Sequence, residues 1–416
     1  MKATKIFMMA ALALTFAACS NNDDNDFAQQ PAEQPANGEI TITATVSSGD
    51  ATTRALSPDG SNIASTWETT DQFAILYNDG TSDVKRVATV SSINGSTVTI
   101  TFTVSSSLAN NTACTIVYPA SAANAANTGA DVATALATQD GTIDNCPEVR
   151  VGLATIDKDN HNLTGVTTLA AQNAIFKFTL QNLSTAAKSA TEFKVSDNSG
   201  NVITTVTPTS ASGELYVALP VMAAGTYWFN ATIDSKPYIA KATTAAATLA
   251  GKYYQTTVEM ATIGDVILSD GKFAARSSTG TNVAMIAYLG SETDHATYKH
   301  GLALALSNEG SMNWTTAKST CEGKSAVPNA AWQLPSKDQW NKMIDACKNV
   351  LGTKNNYQDL RDGFSGISGA SNLQGYEYWS RTEYDSDYAY TYDSGSGSSY
   401  EQLKDDNFRV RACLAF

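Results

Sequence analysis

The sequence predicts a mainly β chain in which two sandwich-like units are followed by a smaller α+β unit, and three observations carry that expectation. At 416 residues the chain is longer than one core serves, and about one unit per 150 residues gives roughly three. From Glu39 to Met260, short alternating or β-branched apolar runs are separated by turn dipeptides such as Asp79-Gly80 and Asn94-Gly95, the punctuation of all-β folds. After Met260 the apolar period changes from two to 3.6 in two stretches and then returns to two, which marks a mixed unit.

The N-terminus stands outside these units. MKATKIFMMAALALTFAAC has two lysines, an apolar stretch from Ile6 to Ala18 and small residues before Cys19. Residues 1–18 therefore read as a secretion signal, too short to span a bilayer as a mature helix. Ala17-Ala18-Cys19 resembles a bacterial lipoprotein processing site, with Phe16 where an aliphatic residue is usual, and that resemblance implies a lipid on Cys19 as the new N-terminus. SNNDDND follows, with nothing to bury, so residues 19–38 read as a disordered acidic tether. An acidic run directly after the lipid cysteine also resembles the surface-export signal of lipoproteins from certain Gram-negative anaerobes. The implied location is the cell surface, as an exported outer-membrane lipoprotein, with the lipid as the only membrane attachment.

Asp and Glu number 40 against 27 Lys and Arg, a net charge of −13. Such a surface repels phosphate backbones and argues against a nucleic-acid partner. Besides Cys19 the cysteines are Cys114, Cys146, Cys321, Cys347 and Cys413. In an oxidising compartment they can pair, but an odd number leaves one thiol over. None has CxxC spacing, so no zinc site is expected.

The first β unit is expected over residues 39–168 and the second over 169–262. The runs EITITATV, FAILYN, STVTITFTV, AIFKFTL, ELYVALP, TYWFNATI and YYQTTVEM read as strands. In the first of them Ile40, Ile42, Ala44 and Val46 share one face. Trp67 and Asp71 of WETTD invite a binding assignment, but a tryptophan just before an apolar strand reads as core. The Ala/Thr/Asn stretch from Ser121 to Thr142 reads as a long excursion, with Cys114 and Cys146 as candidates to clip it; the sequence does not decide that connectivity.

The order TTRAL (Thr52 to Leu56), STWETTDQFAILY (Ser65 to Tyr77), LAAQNAIFKFTL (Leu169 to Leu180) and AGKYYQTTVEM (Ala250 to Met260) resembles the fimbrillin-type pilins of lipoprotein-derived pili, over roughly residues 38 to 260. The resemblance implies two successive transthyretin-like β-sandwiches. It also implies cleavage by an arginine-specific protease after Arg54, with Ala55 as the new N-terminus, and partners that are other pilin subunits joined by donor-strand exchange. The physics of such a cut stands independently. Removing a strand bares unpaired N–H and C=O groups beside an apolar trough, and that edge captures an extended segment of another chain.

In residues 265–416, VILSDGKFAAR and NVAMIAYLG read as strands, and NWTTAKSTCEG carries helical spacing between Ala317 and Cys321, with Gly323 to stop it. A second helix is expected at LPSKDQWNKMIDACKNVLG, with Ser336 and Gln339 as a capping box. Trp340, Met343, Ile344 and Cys347 form one face, and Gly352 ends the helix. Strands YEYWSRTEY, YAYTYD and FRVRACLAF complete the unit. GLALAL, NWTTAKSTC, AWQLPSKDQW, YWSRTEY and RVRACLAF together resemble a C-type-lectin-like domain, in the bacterial variant related to formylglycine-generating enzymes. That resemblance implies a bridge between Cys321 and Cys413, with Cys347 left as a buried thiol. The Glu-Pro-Asn, Gln-Pro-Asp and Trp-Asn-Asp triplets of calcium-dependent sugar binding are absent, so that activity is not implied. No cofactor is expected, although Asp385, Asp387 and Asp393 offer oxygens of the type calcium takes.

Tyr376, Tyr378, Tyr384, Tyr388, Tyr390, Tyr392 and Tyr400 crowd the stretch from Gly375 to Tyr400. Tyr388, Tyr390 and Tyr392 should share one strand face. Lectin-like folds present ligands at loops, which makes Tyr384, Asp385 and Asp387, supported by Tyr388 and Tyr390, the candidate contacts. His295 and His300 read as a solvated pair, and no catalytic constellation stands out. The expected function is a pilus tip adhesin or accessory tip pilin with a glycan or protein ligand. A surface lipoprotein that binds ligands without polymerising is the alternative, and an enzyme of the formylglycine-generating fold a third reading.

Overall fold

The computed structural model describes residues 38–48, 57–59, 62–64, 67–165, 168–352 and 356–416; Cys19, Arg54 and Ala55 lie outside them, as does the signal sequence. The run EITITATV forms a strand, Glu39–Ser47, with Ile42, Ala44 and Val46 buried and Thr41, Thr43 and Thr45 exposed. It pairs antiparallel with Thr97–Ser105 from end to end, but its ladder pairing with Asn162–Thr164 is the single pair Thr43 with Asn162. The eight-stranded sheet runs Asn162–Thr164, Glu39–Ser47, Thr97–Ser105, Asp83–Asn94, Gln72–Asn78, Thr112–Tyr118, Arg150–Asp157, Ala170–Ala171. Because Asn162–Thr164 also pairs with Arg150–Asp157, the sheet closes on itself. The first β unit is thus a barrel-like ring, and closure removes the exposed edges an open sheet would carry. Inside it, Trp67, Phe73 and Tyr118 pack at centroid distances of 5.0 to 5.2 Å. Asp71 is buried and accepts a hydrogen bond from the Tyr118 hydroxyl at 3.0 Å; Trp67 is core, as expected, while Glu68, Thr69 and Thr70 between them are exposed.

The excursion after Tyr118 is held by a route the sequence did not suggest. Its helix Val132–Leu136 is followed by a two-residue strand, Thr138–Gln139, which joins the second sheet in parallel with Val202–Val206. The buried Gln139 amide donates to Leu136 O at 2.9 Å and Ala218 O at 2.7 Å, and accepts from Ala218 N–H at 2.8 Å. No disulfide clips it, for Cys114 and Cys146 are both free. Cys114 lies in the barrel core with Ile116 and Tyr118, whereas Cys146 packs with Val117 in the layer between the first and second sheets. Alternation along the strand Thr112–Tyr118 puts those two sets on opposite faces.

The second sheet runs Glu214–Pro220, Asn173–Asn182, Tyr253–Thr262, Lys236–Thr244, Gly225–Ile233, Glu192–Ser196, Val202–Val206, Thr138–Gln139. Its corner lies where Lys236–Thr244 meets Tyr253–Thr262 through two residue pairs, Tyr238 with Thr262 and Ile239 with Ala261. Folding at that corner encloses Phe176, Phe178, Phe193 and Phe229 in one core.

The remainder combines a six-stranded sheet, ordered Phe273–Ala274, Val266–Leu268, Asn282–Leu289, Gly301–Ala305, Cys413–Ala415, Ala331–Gln333, with a five-stranded one, ordered Gly310–Met312, Phe408–Val410, Glu377–Glu383, Tyr388–Asp393, Ser398–Leu403. Helix Trp314–Glu322 starts at the Asn313 cap, and helix Lys337–Leu351 at the Ser336–Gln339 capping box. A third helix, Asn356–Asp362, has no counterpart in the sequence reading. VILSDGKFAAR and FRVRACLAF each split into two short strands. Cys321 and Cys413 share this core but remain free, contrary to the implied bridge. Burial pushes the Cys321 thiol up to about 12 and raises that of Cys413 as well. Both are thus held in the protonated form that packs as a small apolar side chain.

His300 is not solvated. It is buried and stacked on Trp228 of the second sheet at 3.9 Å, and its Nε2 has no hydrogen-bond partner. Burial holds the imidazole down from 6.5 to about 4, against a smaller upward pull from the Asn198 backbone and Asp197. Below pH 6.5 the unfolded chain takes a proton that the folded chain takes only near pH 4, so stability falls as pH drops through that window, by up to ~3 kcal/mol. In urea titrations between pH 7 and pH 4, wild type should lose more stability than His300→Phe, which keeps the stack without the titration.

Candidate functional site

Two places carry the chemistry expected of a surface binding protein: the aromatic loop of the C-terminal unit and the first strand of the barrel. The loop joins Glu377–Glu383 to Tyr388–Asp393. Its Asp385 carboxylate is occupied by the turn, accepting N–H bonds from Asp387 at 2.9 Å and Tyr388 at 2.8 Å. Lys404 closes the loop from below. Its ammonium donates to Asp385 O at 2.7 Å and Ser386 O at 3.0 Å, pairs with Glu383 at 3.1 Å, and lies 4.8 Å from the Trp314 ring centroid. The carbonyls that could have served a cation are therefore taken by a lysine.

Asp393 stands at the other end of its strand, accepting from Gly395 N–H and Ser396 Oγ–H. The calcium set Asp385, Asp387 and Asp393 is thus not assembled, and among the described residues no group of three His, Cys, Asp or Glu is placed to hold a metal. His295 uses Nδ1 to accept the N–H groups of Thr297 and Tyr298.

The tyrosine row grades from core to surface along one strand. Tyr392 is buried and stacks on Trp340 at 4.7 Å. Tyr390 is half-buried under the Lys337 ammonium, 3.8 Å from its centroid. Tyr388 is exposed beside its cross-strand partner Leu403, also exposed. Tyr384, 57% exposed, meets Tyr390 edge-on at 5.7 Å. Of the five candidate contacts, the structure thus brings Tyr384, Tyr388 and Tyr390 to one surface and spends the Asp385 carboxylate on holding the loop. Sequence reasoning missed Lys337, Leu403 and Lys404. Lys337 lies about 50 positions before Tyr390, and no local pattern marks such a partner. Ser398–Leu403 follows a Gly/Ser run that hid it.

The second place is the seat of Glu39–Ser47. Ile42, Ala44 and Val46 fill the barrel core opposite Phe102, Ile100 and Val98. At the strand's exit, Leu169 N–H donates to Ser47 O at 2.8 Å, and buried Arg150 donates to Ser48 O. Taking this strand away would leave Thr97–Ser105 without a ladder partner on that side and open the ring.

Elsewhere, a cleft of about 550 Å³ lies where Lys236–Thr244 and Tyr253–Thr262 diverge, lined by Phe229, Lys241, Thr243, Val258 and Phe273 among others. Burial raises every described thiol: Cys114 to about 12, Cys321 to about 12, and Cys146, Cys347 and Cys413 in the same direction. A nucleophilic cysteine requires the opposite shift.

No protein-family model matches the chain, and no curated protein matches it. Among solved structures, a fimbrial protein from Bacteroides ovatus is similar at 12% identity, over 91% of this chain and 99% of that one, with a TM-score of 0.31. A fimbrial assembly protein from Parabacteroides distasonis is similar at 10% identity, over 53% of this chain and 90% of that one, with a TM-score of 0.29. The tip fimbrial protein Mfa3 from Porphyromonas gingivalis, with a C-terminal truncation, is similar at 11% identity, over 54% and 98%, with a TM-score of 0.26.

Proposed function

We propose that the chain is a cell-surface fimbrial subunit, lipid-routed through Cys19, in which a cut after Arg54 frees the first strand and the vacated groove takes a strand from another subunit. The observation that carries this reading is the seating of Glu39–Ser47. The strand closes the ring and fills its core with alternate side chains, yet it is paired along its length on one side only. A segment so placed can leave as a unit, and what remains is a backbone edge beside an apolar trough, the geometry that captures an extended strand.

Cys413–Ala415 is an inner strand, paired on one side with Gly301–Ala305 and on the other with Ala331–Gln333, and Phe416 is buried. That strand is not available to a neighbour, so the subunit would accept a strand without giving this one. The exposed rings of Tyr384 and Tyr388, with half-buried Tyr390 between them and Lys337, would then be the adhesive surface, suited to stacking on a planar or apolar group of a glycan or protein.

Cleavage with an arginine-specific protease tests the reading. The expected result is a new N-terminus at Ala55 and, after mild denaturant, exchange of the released strand for a labelled peptide of the sequence Glu39–Ser48. If the cut chain keeps its strand under all conditions short of global unfolding, or loses it and binds no peptide, the reading is overturned.

A further inference from the structure

Arg150 is an arginine in a place where arginine is costly: its side chain is 6% exposed, at the start of the strand Arg150–Asp157. Its guanidinium charge is matched by Glu148, 11% exposed, at 2.5 Å through one terminal nitrogen. The other terminal nitrogen donates to Ser48 O and, at 3.2 Å, to Leu169 O, while the buried Nε has no hydrogen-bond partner. Leu169 in turn donates its own N–H to Ser47 O. The two residues therefore hold two successive carbonyls, those of positions 47 and 48, just where the first strand leaves the barrel. A buried guanidinium that loses an acceptor is strongly penalised, because desolvation is not recovered until another acceptor arrives.

We infer that Arg150 is a positioning residue that sets the length and register of whatever strand occupies the groove: an occupant must extend far enough to place a main-chain carbonyl where Ser48 O now lies. This inference rests on the strand-exchange reading above. Glu148 already balances the charge, so the group sought is a neutral carbonyl and not a carboxylate. The alternating pattern of the groove fixes which face of an incoming strand is buried. It leaves slips of two residues almost equivalent, since small and β-branched side chains succeed one another along it. The carbonyl acceptors at one end count against such a slip when the strand stops there: slipped by two residues towards the opposite end, it offers Arg150 no carbonyl and leaves Leu169 O as the main-chain acceptor of that nitrogen.

The test uses the full chain cut after Arg54 and freed of its first strand, with three amidated synthetic peptides: Glu39–Val46, Glu39–Ser47 and Glu39–Ser48. The peptide ending at Ser48 should bind roughly 10- to 100-fold more tightly than the one ending at Ser47, the effect of one hydrogen bond to a charged, buried donor. The step should flatten to within about threefold in the double variant Arg150→Gln with Glu148→Gln, which removes both buried charges together so that neither is stranded. If the peptides ending at Ser47 and Ser48 bind wild type equally, the inference fails while the exchange reading stands. The same holds if the step persists in the double variant. Should none of the three bind, the exchange reading fails and takes this inference with it. The length series on wild type is decisive even if the double variant does not fold.

Discussion

Truncation of Trp340 to alanine is expected to cost the C-terminal unit about 3–5 kcal/mol. Trp340 is fully buried in the first turn of helix Lys337–Leu351, stacked on Tyr392 at 4.7 Å and tilted against Tyr378 at 6.1 Å. Its Nε1–H reaches Trp379 O at 3.4 Å. The indole thus ties the helix to two neighbouring strands of the five-stranded sheet, and the cavity left by alanine would border two aromatic side chains, Tyr392 and Tyr378. The loss has a directional consequence. Lys337 begins the same helix and covers Tyr390, so loosening the helix should expose the aromatic loop. The check is a urea titration followed by near-ultraviolet circular dichroism, with amide exchange of residues 384–392 beside it. A stability change below about 1 kcal/mol would mean that the helix is not held to the sheet by this ring.

Much of this architecture was legible because the signals were local. Strand Glu39–Ser47 follows from the alternation of Ile42, Ala44 and Val46 with threonines, and helix Lys337–Leu351 from Ser336, Gln339 and Gly352, residues that act within a few positions of themselves. What the sequence hid depended on distance. Closure of the first sheet rests on three-residue Asn162–Thr164 meeting two strands at once, and so short a segment carries no period. The disulfides failed for a related reason. Cys114 and Cys146 are close in sequence, but one turns into the barrel and the other out of it, a distinction only the completed sheet creates.

The binding surface divides in the same way. That Tyr388, Tyr390 and Tyr392 share a face follows from strand period; which of them is core depends on where the helix ends above them. Lys404 could not be identified as the partner of the Asp385 and Ser386 carbonyls without knowing that strand Ser398–Leu403 returns beside Tyr388–Asp393. The same return sets the Lys404 ammonium against the Asp385 and Ser386 carbonyls of this loop.

Replacing Ile42 by aspartate should be the most disruptive single change in the barrel, and it separates folding from assembly. Ile42 is 0% exposed, opposite Phe102, in the core shared by Phe73, Ile100 and Ile156. A carboxylate there loses the packing of isoleucine and must either enter an apolar core or pull its strand out, a cost of about 4 kcal/mol or more. The strand has an easier escape than the rest of the barrel, since on one side its ladder pairing is confined to Thr43, with Leu169 and Arg150 holding the carbonyls at its exit. The expected state is therefore a chain whose first strand is displaced while the other strands of the ring persist. Such a chain should bind added Glu39–Ser48 peptide without any proteolytic cut, whereas uncut wild type should not, its groove being filled. Fluorescence anisotropy of the labelled peptide measures this directly. Binding by the variant but not by wild type would show that the groove survives loss of its strand. Cooperative unfolding of the whole barrel in Ile42→Asp would show instead that the strand is integral to the ring, and donor-strand capture would lose its structural basis.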